Sequence, residues 1–280
     1  MKFNIMKIKL ILFLIVIVRA KENSECKEIH LNNVPHKKHV LGMGLNRPYQ
    51  LAYDLKEHKV FFSYNVGNDT EDTFQIGFLK KGHIKHEEVP DVVNGFAIAI
   101  DNKDDVIYFG GSEGIYKHHL KPNSTVEKIV SDRNVWDMFF KHHLYFIEYP
   151  SQHLYKCVHE KSGVATEHQK HIHEKIYQFV IDGDEDIFIT NETGLYRIKK
   201  NTTDRIFYGE PTVFRAIEVN NKGVAYFSAK DGIYVANKTS DTLENVARIK
   251  NIFGLAFDND DNIIYSSPYE IIKLLPERCK

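Results

Sequence analysis

The chain has 280 residues, of which 42% are hydrophobic and 12% aromatic, with 37 Lys and Arg against 38 Asp and Glu. The apolar content excludes a disordered chain, and the 16 Gly and 8 Pro are too few for a collagen-like or linker-like chain. The formal net charge of −1 gives no basic excess of the kind that marks nucleic-acid binding.

The first twenty residues predict a signal peptide. Three lysines precede an unbroken apolar run, Leu10–Val18, whose nine residues are too few to cross a bilayer but typical of a signal-peptide core. Cleavage after Ala20 would leave residues 21–280 as the secreted domain, and no later segment is long and apolar enough to span a membrane. The alternative, a membrane anchor, is disfavoured by the length of the run.

Two further features are typical of the secretory pathway. Asn-x-Ser/Thr acceptor sites for glycosylation begin at Asn68, Asn123, Asn191, Asn201 and Asn237. The chain also has three cysteines. Cys26 and Cys279 lie near the two ends and are the natural partners for a disulfide in an oxidising compartment, which leaves Cys157 free and buried.

Six similar units of about forty residues follow the N-terminal segment. Each opens with an apolar run that ends at residue 54, 101, 141, 182, 220 or 258, four of which are Asp. A polar turn, a second β-rich run, a third motif and, in most units, a weaker fourth run follow. Short runs rich in β-branched and aromatic residues, separated by Asp, Asn and Gly turns, are typical of strands. Four strands per unit predict an all-β, six-bladed β-propeller.

The last unit ends after its third strand, so that its fourth strand has to come from elsewhere. The segment between Cys26 and the first unit can supply it through His36–Leu41, which would close the ring and leave no open sheet edge. The predicted Cys26–Cys279 disulfide would then join both chain ends in one blade. In the chain-entropy model a loop of this length makes such a bond worth on the order of 5 kcal/mol.

A candidate ligand site lies five residues before the end of each opening run, where a propeller chain enters its innermost strand. The residues there are Tyr49, Phe96, Trp136, Tyr177, Arg215 and Phe253, with Arg47 and Asn94 two positions earlier in the first two units. Aromatic faces bind planar conjugated ligands by stacking, and Arg can pair with a carboxylate. The sequence therefore predicts a ligand site at the mouth of the channel. The alternative is that these aromatic residues only pack between blades.

A second class of function is a metal-dependent lactonase or esterase, which needs acids and amides that converge on a hard cation. Asp137, Glu148, Asn94 and Asn134 could provide some of the oxygens, but the equivalent positions in the other units are aromatic, small or basic. The sequence contains no nucleophile elbow, zinc-binding helix motif or phosphate loop. We therefore expect no catalytic residues, cofactor or metal. A third possibility is a propeller that binds other proteins.

Several segments resemble the ommochrome-binding proteins of moth and butterfly haemolymph. The segments are Asn46–Asp54, Asn94–Ala97, Gly110–Lys117, Tyr149–Gln152 and Thr193–Tyr196. The resemblance runs from the signal peptide to the C-terminus, and it implies a secreted carrier for ommochromes, the planar phenoxazinone pigments made from tryptophan. Such pigments carry amino-acid carboxylates, which Arg215 and Arg47 would suit. We expect a monomeric, non-enzymatic haemolymph protein whose partner is this small molecule, and neither nucleic acid nor membrane.

Overall fold

The computed structural model describes residues 29–276, except 69, 161–162, 171, 173 and 210–212. All regular structure in these residues is β-strand, and none of it is a helix long and apolar enough to cross a membrane. The predicted signal peptide lies outside the described residues, as do Cys26 and Cys279. The described chain begins with a hairpin of β1 (Ile29–Leu31) and β2 (Val34–Met43).

Four sheets each contain four antiparallel strands, and within each sheet consecutive strands of the chain are neighbours. The first sheet has β3 (Leu51–Tyr53), β4 (Val60–Asn65), β5 (Phe74–Leu79) and β6 (Glu87–Glu88). The second has β7 (Ala97–Asp101), β8 (Val106–Gly111), β9 (Gly114–His119) and β10 (Val126–Ser131). The third has β11 (Val135–Lys141), β12 (His143–Glu148), β13 (His153–Glu160) and β14 (Gly163–His168). The fourth has β15 (Gln178–Ile181), β16 (Ile187–Asn191), β17 (Gly194–Ile198) and β18 (Arg205–Gly209).

The remaining strands form one nine-stranded sheet. They are β19 (Ala216–Val219), β20 (Ala225–Ala229), β21 (Gly232–Asn237), β22 (Thr242–Ala247), β23 (Leu255–Phe257), β24 (Ile263–Ser266) and β25 (Glu270–Pro276), together with β1 and β2. β2 pairs antiparallel with β25, from His36 opposite Pro276 to Met43 opposite Glu270. The N-terminal hairpin thus supplies the strand beside β25. A single residue pair, Leu31 with Ala247, connects β1 to β22 and joins the two halves of the sheet.

The core lies between the faces of neighbouring sheets. Every residue of β4 and of β8 is buried, so these strands lack the alternation of a sheet with one wet face. Phe61 packs on Phe109 of the next sheet with ring centroids 6.0 Å apart, and Phe188 packs on Phe227 at 5.2 Å. Such sheet-on-sheet packing explains why the first and second runs of each unit are almost wholly apolar.

The polar residue that ends most opening runs has a structural role. The side-chain Oδ1 of Asp54 accepts the backbone N–H groups of Lys56 and Glu57, and Asp101, Asp182, Asn220 and Asp258 accept bonds from the residues that follow them in the same way. These side chains fix the turn between the first and second strands. The third unit departs from this pattern, because Lys141 leads through His142, at φ 57°, directly into β12.

The structure gives the solvent exposure of the five glycosylation acceptor residues and of Cys157. Asn68, Asn123 and Asn201 are exposed and the other two acceptor residues are partly buried, and glycosylation of all five stays a prediction. Cys157 is buried in β13 and carries a free thiol, and burial raises the pKa of that thiol to about 12. The predicted Cys26–Cys279 bond lies outside the described residues.

Candidate functional site

Five of the six predicted ring residues occupy equivalent places in the fold. Backbone N–H groups immediately before the first strands donate to a carbonyl of the second strand: Tyr49 to Ser63, Phe96 to Gly110, Tyr177 to Thr190, Arg215 to Ser228 and Phe253 to Ser266, over 2.7–3.1 Å. Trp136 is the exception, because it lies at an irregularity in β11 where the register with β12 shifts between Val135 and Asp137. An extra residue of this kind re-aims side chains, and Trp136 is one of the exposed members of the set.

Four aromatic rings fill the centre of this surface, and we call them the closed cluster: Tyr49, Phe74, Phe96 and Phe253. Tyr49 contacts Phe96 and Phe253 at centroid distances of 5.5 and 5.4 Å. Phe74, the first residue of β5, packs edge-on against Phe96 at 4.7 Å. All four rings are partly buried. Because these rings contact each other, a ligand can reach only their outer edges.

A second group of aromatic side chains faces outward, and we call it the platform: Trp136, Tyr149 and Tyr177. These side chains are 40%, 50% and 41% exposed. The Trp136 ring lies 6.1 Å from Tyr149, and its Nε1–H donates to the backbone carbonyl of Tyr177 over 3.0 Å. On its other side Trp136 stacks on Phe96 at 5.1 Å with an interplanar angle of 23°. The indole is therefore held in place while one part of it remains open to solvent.

The two predicted arginines and Asn94 have different surroundings. The Arg215 guanidinium lies 4.6 Å from the centre of the Phe253 ring, and in the described part of the chain no carboxylate lies within ion-pairing distance of it. Arg47 instead donates to Asp72 over 2.9 Å, so its charge is already compensated. The side-chain oxygen of Asn94 accepts the backbone N–H of Phe74 and thereby supports the closed cluster.

A polar layer lies directly beneath the closed cluster. Asp137, which is 4% exposed, accepts one hydrogen bond from Gln50 Nε2 over 3.0 Å and one from the backbone N–H of Phe179 over 3.2 Å. Gln178 Nε2 donates to the carbonyl of Arg215 over 2.9 Å. Burial raises the pKa of Asp137 to about 7, although these hydrogen bonds favour the carboxylate. The layer ties residues of four different sheets together across the channel.

The oxygens considered for a metal do not converge. The Asp137 carboxylate is engaged by Gln50, Glu148 pairs with Arg133 over 2.5 Å, and Asn94 bonds Phe74. Among the residues that the structure describes, no group of three or more His, Cys, Asp or Glu side chains is placed to hold a metal ion. The exposed aromatic surface of the platform can stack against a flat conjugated molecule.

A cavity of about 640 Å³ occupies the opposite end of the channel, and we call it the chamber. It is lined by the ends of the first strands and by the turns that follow them, among them Tyr53, Asp101, Phe140 and Glu218. No residue of the closed cluster or of the platform lines it. Alignment of the six sequence units predicts a ligand site only at the mouth where the first strands begin. It gives no indication of the chamber, because the side chains that line the chamber differ from unit to unit.

Sequence comparison finds one informative relative. The chain is 27% identical over 278 residues to the ommochrome-binding protein of Manduca sexta, a match that covers 97% of this chain and 100% of the relative. The resemblance to ommochrome-binding proteins is therefore confirmed. No protein-family model matches the chain.

Solved structures with the same architecture include enzymes. A gluconolactonase from Xanthomonas campestris superposes with a TM-score of 0.65 at 12% identity and covers 90% of this chain and 96% of its own. A second, putative gluconolactonase gives 0.65 at 14% identity, with coverage of 88% and 97%. A streptogramin B lyase gives 0.59 at 14% identity, with coverage of 86% and 98%. At such identities the likeness shows the fold alone: an all-β propeller of four-stranded sheets.

Proposed function

We propose that this protein is a secreted, non-enzymatic carrier that binds an ommochrome on the platform at the mouth of its channel. The observation that carries the proposal is the exposed aromatic surface of Trp136, Tyr149 and Tyr177 beside Arg215, which has no carboxylate partner among the described residues. Stacking on flat conjugated rings and pairing with a carboxylate are what this surface can do chemically. The relative in Manduca sexta, whose name describes ommochrome binding, agrees with it.

The proposal includes a ring of six blades closed by the N-terminal segment. Contacts between the first strands of consecutive sheets support it: β3 with β7, β7 with β11, β11 with β15, β15 with β19, β19 with β23, and β23 with β3. The pairing of β2 with β25 gives the last unit a fourth strand. Such a ring brings all six mouth positions around one axis, which a smaller or open arrangement of the same units would not do.

In the proposed complex the pigment lies flat on the exposed part of Trp136, flanked by the two tyrosines. Arg215 pairs with an amino-acid carboxylate at the edge of the pigment, held in place by its contact with Phe253. The closed cluster does not open. It supports the platform from below through the stacking of Phe96 on Trp136. Arg47 contributes less than Arg215, because Asp72 already neutralises it.

A carrier is favoured over a lactonase or esterase because the acidic groups near the mouth are committed to structural bonds. Asp137 holds the polar layer and Glu148 holds Arg133. The gluconolactonase likenesses rest on identities of 12% and 14% and concern the fold only.

The proposed setting outside the cell rests on the apolar run Leu10–Val18 and on the five acceptor sites for glycosylation.

The test is a fluorescence titration of Trp136, the single tryptophan of the chain, with a purified ommochrome, with and without EDTA. We expect saturable quenching that EDTA does not change, after correction for absorption by the pigment. The lactonase alternative is tested in the same preparation with metal analysis and an ester and lactone screen. Absence of saturation, or cleavage that a chelator abolishes, would contradict the proposal.

A further inference from the structure

The chamber contains a carboxyl group that the proposed function does not use. Glu218 belongs to β19 and lines the chamber. The only hydrogen bond described for its side chain comes from the backbone N–H of Val219, over 2.8 Å to Oε1. No Lys, Arg or His among the described residues lies within ion-pairing distance of it. Glu218 is only partly buried and lines the chamber, so the free energy of its ionised form depends on what fills the chamber.

The walls around Glu218 combine apolar and aromatic groups. Ile98, Met138 and Ile181 contribute aliphatic and thioether surface, and Tyr53 and Phe140 contribute ring edges. The Tyr53 hydroxyl is bonded to His58 Nδ1 over 3.1 Å, which fixes that ring. A volume of about 640 Å³ lies within the roughly 300–1,000 Å³ that is usual for small-molecule sites. Close to these apolar strand residues the chamber offers a carboxyl group that has no cationic partner among the described residues, while charged side chains also line the chamber at the strand ends and turns: Asp101, Lys103, Asp104, Lys141 and His142.

Glu218 disfavours two other simple occupants. An anionic ligand would be repelled by its ionised carboxylate, which has no cationic partner of its own among the described residues. A bare divalent cation needs several oxygen ligands, about six to eight for Ca²⁺, whereas no group of three or more His, Cys, Asp or Glu side chains among the described residues is placed to hold one, and Asp137 is already engaged by Gln50 and Phe179. A ligand with one ammonium group and an apolar body satisfies both the carboxylate and the walls, and an ammonium group is also attracted to aromatic faces.

We propose that the chamber is a second binding site, specific for a small organic amine whose ammonium group pairs with Glu218. The apolar or aromatic part of the amine lies along Ile98, Met138 and Phe140. The site is separate from the platform, since the polar layer of Gln50 and Asp137 lies between them. It therefore does not depend on the proposed pigment binding.

The pH dependence of binding supplies a second readout. Burial, together with the nearby charge of Asp137, raises the pKa of Glu218 to about 8. The carboxyl is thus mostly neutral at pH 6 and ionises as the pH rises, while an alkyl ammonium group stays charged, so affinity increases over this range. The other titratable groups that face or line the chamber are Asp137, Tyr53, Asp101, Lys103, Asp104, Lys141 and His142.

The test is isothermal titration calorimetry with tyramine and with para-ethylphenol, which has the same ring and chain but no amine. We expect tyramine to bind the full-length protein, at least tenfold more tightly than para-ethylphenol and more tightly at about pH 8.5 than at about pH 6. The variant Glu218→Gln keeps the shape of the side chain and should weaken tyramine binding at least tenfold, while para-ethylphenol binding stays unchanged. Glu127→Gln, on the exposed surface of β10, is the matched control and should bind like the natural protein.

Three results would overturn the proposal. They are no tyramine binding at millimolar concentration, equal affinity for the two compounds, and equal tyramine affinity of the natural protein and a folded Glu218→Gln. Trp136→Ala separates the two sites, because it should leave tyramine binding unchanged. Loss of tyramine binding in that variant would place the amine on the platform and also contradict the chamber site.

Discussion

The two ends of the channel are built from the same repeat and yet differ in what fills them. At the end where the first strands begin, four rings of the closed cluster contact one another and leave only the platform exposed. At the end where those strands finish, short Asp and Asn side chains are bonded back to their own turns. They leave the axis empty, and the chamber results.

The difference indicates that the residue type at each of two repeated positions, aromatic where the first strands begin and mostly Asp or Asn where they finish, affects whether that channel end is closed or open. A large aromatic residue reaches the axis and meets its equivalents from the other units. A carboxylate that caps its own turn cannot reach, because its oxygens are already bonded locally. We therefore expect substitutions at the closed cluster to change stability, substitutions at the platform to change affinity, and substitutions in the chamber to change the pH dependence.

The largest expected effect concerns Glu218. Its pKa is raised from 4.5 to about 8, mainly by burial, so between these pH values the folded protein keeps a proton that the unfolded chain has lost. Stability therefore falls as the pH rises through this window. Glu218→Gln removes this loss and should gain stability relative to the natural protein from pH 5 to pH 8, with about 4 kcal/mol as the upper bound at 1.36 kcal/mol per pKa unit, because Glu218 is partly exposed. Urea unfolding at both pH values measures it.

The matched control is the exposed Glu127→Gln, for which the difference from the natural protein should not change with pH. Parallel stability curves for Glu218→Gln and the natural protein would mean that the chamber does not raise the pKa of this carboxyl. The contrast between the two ends of the channel would then be one of shape only.

The next effect concerns the closed cluster. Phe96 contacts Tyr49, Phe74 and Trp136, so Phe96→Ala removes three ring contacts and leaves a cavity. We expect a loss of about 3 kcal/mol in the free energy of unfolding, at the lower end for a Phe-to-Ala change because the ring is only partly buried. Urea unfolding with circular dichroism measures it. The control is Phe207→Ala, which removes a ring that is 47% exposed on β18 and should cost below about 1 kcal/mol.

Substitution at the platform should lower pigment affinity more than stability, in contrast to Phe96→Ala. Trp136→Ala removes the exposed stacking surface and should weaken pigment binding by about 2 kcal/mol, roughly 30-fold. Its stability should change less than that of Phe96→Ala. Equilibrium dialysis measures the affinity, because this variant has no tryptophan to quench. If Phe207→Ala lost as much affinity as Trp136→Ala, or if Trp136→Ala bound pigment normally, the binding site would have to lie elsewhere.

The smallest expected effect concerns the arginine beside the platform. Arg215→Gln should weaken pigment binding by about 1 kcal/mol, because the pair with a carboxylate is exposed to solvent. The loss should shrink in high salt, since salt screens exposed charges. Arg248→Gln, at an exposed position outside the platform, should have no effect. An equal loss in both variants would indicate a general effect of net charge and not a specific pair with Arg215.

The strands and the mouth positions could be predicted from the sequence because both repeat. The opening runs, the second runs and the third motifs are all strands, and five of the six residues that lie five positions before the run ends share one backbone hydrogen bond. A repeated position with a repeated environment is what single-sequence analysis detects well.

The division of the ring into the closed cluster and the platform could not be predicted in this way. Phe74 enters the cluster from the start of β5, a third-strand position that holds no Phe, Tyr or Trp in the other units, and Tyr149 lies in a loop after β12. Trp136 is exposed because of a local shift in register. The hydrogen bond between Gln50 and Asp137 joins residues 87 positions apart. Glu218 lacks a cationic partner among the described residues because no Lys, Arg or His of another strand or turn comes close enough to it. Each of these features arises from three-dimensional placement and leaves no local pattern in the sequence.

The pairing of β2 with β25 has a consequence for biosynthesis. Met43 and Glu270, which face each other in this pair, are 227 positions apart, so β2 leaves the ribosome long before its partner exists. Until translation is nearly finished, the nascent chain carries an unpaired strand edge of the kind that recruits other chains. Contacts of such high sequence separation also slow folding. Successful production of this protein therefore depends on shielding its N-terminal strand until the last strand has been made.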